Sequence, residues 1–168
     1  PKTPKPHNIN PLIIIIKMIA DFGKTFAAVD LKMASISDIH FAVDFDPTVN
    51  AGSGYCRVGG GDSKADLVAN FGRMGCDAPE LLVTTIFENI KNSYPDLDVI
   101  FVPGDIVAHK IAIEYGQPDE TGAYQRLLGI LEQVADLLIE YFPNAIVLPT
   151  LGNNDCKFHY QPPTKDEK

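Results

Sequence analysis

The sequence has few basic residues. Lysine and arginine total 14 against 22 aspartates and glutamates, for a net charge of −8 and a pI of about 4.8. No basic stripe forms anywhere, which excludes the electrostatic footprint of a protein that binds a nucleic-acid polymer. The same balance argues against a polybasic membrane anchor. Long apolar runs are missing too. The stretch from Leu12 to Ile16, continued through Met18 to Ala20, is broken at Lys17 and is too short to cross a bilayer. It reads either as a buried strand or as the remnant of a leader core preceded by Lys2 and Lys5. No internal repeat is visible.

Cysteine is scarce, and Cys56, Cys76 and Cys156 lack the C-x-x-C spacing of a zinc knuckle. Cys56 and Cys76 bracket a Gly-rich polar segment. Spacing leaves two readings open there. A disulfide would restrain the loop by roughly 3 kcal/mol on chain-entropy grounds and would imply an oxidising compartment. The other reading is a pair of ordinary buried thiols. No N-x-S/T sequon occurs, which weakens a secreted reading.

What is present describes a globular chain. Its 168 residues, 45% hydrophobic and 21% charged, suffice for one domain with a real core. Residues 1–30 read as an N-terminal extension, Pro- and Lys-rich at its start and partly disordered, and residues 31–168 as the folded region. Within it, Leu31 to Ser37 reads as a strand, and Asp44 to Asp77 as one long surface loop of a kind that is often functional. Pro79 to Lys91 has helical signals: Asp77 as a cap, Pro79 in the first turn, and Leu82, Ile86 and Ile90 at helical spacing. Val99 to Val102 suits a strand buried on both faces. Thr121 to Tyr141 is an amphipathic helix with a stripe running from Leu127 and Leu128 through Val134 to Leu138 and Ile139. Asn144 to Leu148 is a further buried-type strand. This order predicts an α/β fold, a layered sandwich with a largely parallel central sheet flanked by helices. Right-handed crossovers put the carboxyl ends of the strands on one edge, where such sheets bind ligands.

Each strand ends in residues that bind metals. Asp38 and His40 stand two apart, so on an extended chain they project to the same side. Asp105 follows Gly104, and Asn153 follows Gly152, each in a turn that brings backbone close. A histidine, two carboxylates and an amide carbonyl make a mixed N/O set suited to Zn, Mn or Fe. A carboxylate can bridge two such ions, the arrangement used in two-metal phosphoester hydrolysis. Singly, these are the residues of ordinary turns, and the signal lies in their conjunction and order.

Taken together, Asp38-Ile39-His40, Gly104-Asp105 and Gly152-Asn153-Asn154-Asp155 resemble the first three signatures of the calcineurin-like metallophosphoesterases. Four further features resemble the acid sphingomyelinase-like phosphodiesterases within them. An acidic, aromatic stretch runs to Asp46-Pro47; Cys56 and Cys76-Asp77-Ala78-Pro79 flank a Gly-rich loop; His109 follows Gly104-Asp105; and Phe142-Pro143-Asn144 precedes Pro149-Thr150-Leu151. The resemblance covers about Ala34 to Pro163 and makes residues 31–168 the N-terminal half of such a domain, an incomplete sandwich.

The resemblance implies that Asp38 and His40 bind a first divalent ion, that Asp105 bridges two, and that Asn153 binds the second. His109 would lie near the substrate phosphate, and Cys56 and Cys76 would form a disulfide. It implies a phosphodiester hydrolase, with metal-bound hydroxide attacking phosphorus and two ions, zinc first and Mn or Fe otherwise, stabilising the phosphoryl charge. It also implies a phosphodiester substrate of lipid or nucleotide type, peripheral membrane contact and a secreted, lysosomal or vacuolar setting. Oligomeric state is left open. The pattern departs in two places. Asn154 stands at the catalytic position where the family usually has histidine, and an amide can donate a hydrogen bond but cannot deliver a proton at neutral pH, so the expectation is either slow hydrolysis or a substitute in His109 or His159. The later histidine ligands of the family would lie downstream of Lys168, so the ions are incompletely liganded in this chain, and hydrolase activity is expected of the full-length form while this chain alone is expected to be inactive. The competing expectation is a degenerate or truncated relative that serves as a non-catalytic structural or interaction domain.

Overall fold

The computed structural model describes residues 30–114, 118–119 and 122–160. The chain divides by its internal contacts between Leu31 and Lys32, and the fold and the site lie in the unit Lys32–Lys168. The N-terminal extension, with its apolar run from Leu12, lies outside the described residues, as does the expected start of the long helix at Thr121.

Among the described residues the order is β1 (Met33–Ser35), α1 (Glu80–Ser93), β2 (Val99–Val102), α2 (Ala123–Tyr141) and β3 (Ile146–Pro149). The strands form one parallel sheet in the order β1-β2-β3. Met33 pairs with Val99 and Val99 with Ile146, so the register runs straight across. This is the α/β fold with a parallel sheet that the sequence pattern predicts, in incomplete form.

The two helices cover one face. Ile100 and Val102 of β2 are fully buried and share a cluster with Val83 and Phe87 of α1 and Leu127, Ile130, Val134 and Leu138 of α2. At about 25 cal/mol per Å² of apolar surface, each such side chain contributes roughly 1.5–3 kcal/mol. Phe87 meets Tyr141 and Phe142 edge-on, with ring centroids 5.9 and 5.7 Å away, tying the two helices together.

Several sequence expectations are corrected. The buried face of α1 is that of Val83 and Phe87, whereas Ile86 is exposed and Leu82 and Ile90 are only half-buried. The large ring of Phe87 decides which side of the helix turns inward. In α2, Leu128 and Ile139 fall outside the buried stripe, which includes Ile130 instead. No side chain caps α1; Asp77 is committed elsewhere, as described below. β2 is not buried on both faces, since Phe101 is 38% exposed, and β3 is mostly exposed, with Ile146 at 62%. Both residues lie on the sheet face turned away from the helices, because side chains alternate along a strand.

The long loop before α1 is organised rather than loose. The Asp62 carboxylate accepts the backbone N–H of Gly54 and of Cys56, at 3.0 and 2.8 Å. Phe45 pairs with Arg57 and Val49 with Lys64. The Thr48 hydroxyl and backbone N–H both donate to Asp46, and the hydroxyl bond is the larger cause that holds that carboxyl below its ordinary range.

Candidate metal centre

Beyond the short strands the backbone keeps climbing as a ladder. Asp38 N–H donates to the Gly104 carbonyl, His40 to Asp105 and Phe41 to Ile106. Phe41 is bridged on one side to Ala78 and on the other to Val107. That single residue therefore draws together Asp77, His40 and the turn leading to His109. The resulting cleft, about 420 Å³, is lined by Asp38, His40, Cys76, Asp77, Pro79 and His109 among others.

Asp38, His40 and Asp105 converge: each offers a ligand atom within 4.8 Å of the others. The route to convergence differs from the extended alternation read in the sequence. All three residues are in the left-handed region, with φ of 55°, 44° and 53°. Such conformations are uncommon outside glycine and cost of order 1–3 kcal/mol each where the fold imposes them. His40 Nδ1 sits 3.3 Å from the Val107 carbonyl oxygen. A proton on Nδ1 makes that bond and leaves Nε2 as the free ligand nitrogen, the usual way an imidazole is oriented toward an ion. Two carboxylates and an imidazole at this spacing fit a divalent ion of the borderline class.

The turns after β2 and β3 approach so closely that neither tolerates a side chain at its glycine. A Cβ on Gly104, whose φ is 106°, would lie 2.5 Å from Gly152 N, and one on Gly152 would lie 2.3 Å from Asp105 Oδ1. Asn154 is buried, and its backbone N–H and Nδ2 both donate to Asp105 Oδ1, at 3.0 and 3.2 Å. Asp105, Asn153 and Asn154 all lie outside the residues that line the cleft. Asn153 Nδ2 donates to His159 Nε2 at 3.0 Å, a contact in which its Oδ1 takes no part.

Two residues that hold the site were not assigned to it from the sequence. The buried Asp155 carboxylate accepts the N–H of Ile106 and Val107 on Oδ1 and of Gly152 on Oδ2, all within 2.8 Å. Its place at the end of Gly152-Asn153-Asn154-Asp155 was the available signal. Asp77, expected as a helix cap, instead accepts from His109 Nδ1 at 2.6 Å, from His109 N at 3.0 Å and from Arg57 at 2.9 Å. The Arg57 guanidinium also donates to the His109 carbonyl. His109 lies between two rings, His40 at 4.1 Å and Tyr55 at 5.0 Å, both nearly parallel to it.

His40, Asp77 and His109 also bring ligand atoms within 4.8 Å of one another. Their rings argue for a hydrogen-bonded network there. In-plane lone pairs of stacked imidazoles run side by side rather than converging, and Asp77 is already saturated by its donors. Cys56 and Cys76 form a disulfide, with Cα atoms 5.5 Å apart, and the spacing is ordinary for such a bond.

No family model matches the chain. Curated relatives do. Sphingomyelin phosphodiesterase A of Dictyostelium discoideum is 31% identical over 124 residues, 72% of this chain and 19% of that protein. Acid sphingomyelinase-like phosphodiesterase 3b of Homo sapiens is 29% identical over 128 residues, 76% of this chain and 26% of that protein. Cyclic GMP-AMP phosphodiesterase SMPDL3A of Rattus norvegicus is 29% identical over 123 residues, 71% of this chain and 25% of that protein. Over this region the chain is related to the acid sphingomyelinase-like phosphodiesterases. It spans about a quarter or less of the length of the curated relatives it matches. For this sphingomyelinase-like chain, no helix among the described residues is long and apolar enough to cross a membrane.

Proposed function

We propose that this chain supplies part of a metal-dependent site for phosphodiester hydrolysis. The observation that carries the reading is the convergence of Asp38, His40 and Asp105 within 4.8 Å at the carboxyl edge of the sheet. These residues would hold one divalent ion, and Asp105 with Asn153 would reach a second. Zinc suits the donor set best, with manganese and iron next. Bound there, such ions activate water and neutralise charge on phosphoryl oxygens. The chain's own contribution is to orient His40 through Val107 and to hold Asp105 through Asn154. The substrate is a phosphodiester of lipid or nucleotide type. The names of relatives support that class, since they specify sphingomyelin and cyclic GMP-AMP. The disulfide supports a secreted, lysosomal or vacuolar setting.

The test compares the protein with its Asp105→Asn variant after equilibration with zinc, by bound-metal analysis and turnover of a simple phosphodiester. We expect the variant to lose metal at least about tenfold and to lose turnover. A wild-type chain that retains no more zinc than the Asp105→Asn variant would sink the reading. One observation favours the second reading, a non-catalytic relative: Asn154, an amide that cannot deliver a proton, is 3% exposed and donates to Asp105. Metal retention without turnover would select it.

A further inference from the structure

The loop closed by the Cys56–Cys76 bond carries a crown of apolar side chains in the open. Leu67, Val68, Phe71 and Met74 are 76, 64, 56 and 97% exposed. Side chains of this size gain roughly 1.5–3 kcal/mol each when fully buried, and the fold forgoes that gain at all of them. The crown is nonetheless held in place. The Ala69 N–H donates to the Pro47 carbonyl at 2.9 Å, Gly72 to Ala69 at 3.0 Å and Cys76 to Arg73 at 3.0 Å. Arg73 folds back and donates to the Leu67 carbonyl, so its guanidinium is engaged within the loop. Gly72 and Gly75, at φ of 93° and 87°, turn the chain on either side of Arg73 and Met74. The position of the crown sets it apart from the apolar residues of the open sheet face, such as Ile146. Phe71 and Met74 line the same cleft as Asp38 and His40, and Ile146 does not.

We propose that this crown is a docking surface for a zwitterionic lipid bilayer, with Phe71 and Met74 seated at the headgroup boundary beside the mouth of the cleft. Charge, shape and position choose this partner. From Ala65 to Cys76 the only ionised side chains are Asp66 and Arg73, which cancel, while the chain as a whole carries −8. An anionic membrane would repel such a chain, and neutral headgroups leave the apolar contact to act alone. Met74 is so exposed that almost nothing in the chain packs on it. A protein partner must offer a hollow that matches such a side chain, whereas a fluid interface accepts any outline. A protein seated on Phe71 and Met74 would also close the cleft lined by Asp38 and His40, while a bilayer brings phosphodiester headgroups to its mouth. This last argument rests on the proposed phosphodiester reading; those from charge and shape do not. A few inserted side chains hold a protein only marginally, so binding is weak and reversible.

The chain has no tryptophan, so a single introduced one reports its own surroundings. Met74→Trp is compared with Ile146→Trp on the open sheet face, where the native side chain is 62% exposed. Vesicles of phosphatidylcholine and sphingomyelin are added to the full chain without zinc, which keeps the result independent of turnover. The Met74→Trp emission should move to shorter wavelength and be quenched by lipids brominated along their acyl chains, while Ile146→Trp shows neither effect. In vesicle flotation, Phe71→Ser/Met74→Ser should weaken binding about tenfold or more, as loss of two partly inserted apolar side chains requires. Both residues are exposed, so the unfolding midpoint of that variant should match the wild type. Phosphatidylserine in place of part of the phosphatidylcholine should bring no gain. An unshifted Met74→Trp emission, an equal response from Ile146→Trp, or binding that needs phosphatidylserine overturns the proposal. So does a shift that appears without vesicles and grows with protein concentration, which would assign the crown to a second copy of the chain. Loss of zinc retention at Asp38, His40 and Asp105 would leave the vesicle result standing, so the two readings fail separately.

Discussion

Around Asp105 the chain fixes its site with backbone; around His109 it does so with side chains. In the first region two glycine turns touch, and a carboxylate, Asp155, gathers three backbone N–H groups from both. In the second, a loop is closed by the Cys56–Cys76 bond over a sequence separation of 20, and a network of Tyr55, Arg57 and Asp77 encloses one imidazole. Backbone contacts between strand ends come with the sheet and leave little room for adjustment. Side-chain networks can be edited singly. The residues proposed to hold metal therefore sit in the rigid region, and His109 sits in the adjustable one.

The largest effect is expected from Gly104→Ala. The new Cβ would enter backbone atoms of Leu151 and Gly152 from a residue already at a φ of 106°, so clash and strain act together. We expect a loss of about 4 kcal/mol or more in denaturant unfolding. The comparison would break if the variant kept its stability, because the two turns would then not depend on close approach.

Opening the other region by Cys56→Ser/Cys76→Ser should cost roughly 3 kcal/mol on chain-entropy grounds. The sharper measurement is selectivity. Zinc retention by Asp38, His40 and Asp105 should change little, while the Nδ1 preference of His109 is lost. Equal damage to both would mean that the two regions are a single unit.

Asp155→Asn is nearly isosteric, yet it should cost about 2–3 kcal/mol. An amide can serve the Ile106 and Val107 donors with its oxygen, but its nitrogen then faces the Gly152 N–H, 2.7 Å from the present oxygen. Thermal unfolding would report it.

The same contrast explains what was legible in the sequence. Gly104-Asp105 and Gly152-Asn153, each an ordinary turn when taken alone, were readable because they stand in order after short apolar runs, and those runs located β2 and β3. The faces of the elements were less legible. Leu82, Ile86 and Ile90 have helical spacing, but so do Val83, Phe87 and Ile90, and only the packing of Phe87 on Tyr141 and Phe142 chooses between them. Burial of β3 could not be read from composition, because Ile146 and Leu148 are apolar and yet exposed. Asp77 was misread for a physical reason: an aspartate before Ala-Pro and a helix is a good cap by local rules, and its actual partners lie 20 and 32 residues away.

The smallest effect is expected from Tyr55→Leu, and it bears on the comparison most directly. Leucine keeps an apolar side chain against His109 but removes the parallel ring at 5.0 Å and the face on which the Arg57 and Lys110 cations sit, 5.6 and 6.0 Å from its centroid. Aromatic stacking of this kind is worth about 0.5–1.5 kcal/mol, so unfolding should shift by about 1 kcal/mol. Asp77 still holds Nδ1 in this variant, so the His109 tautomer should stay as in the wild type while the ring gains freedom on one face. A tautomer that changed with the ring, read in two-bond 1H–15N spectra, would mean that the ring sandwich, and not the Asp77 carboxylate, holds the imidazole.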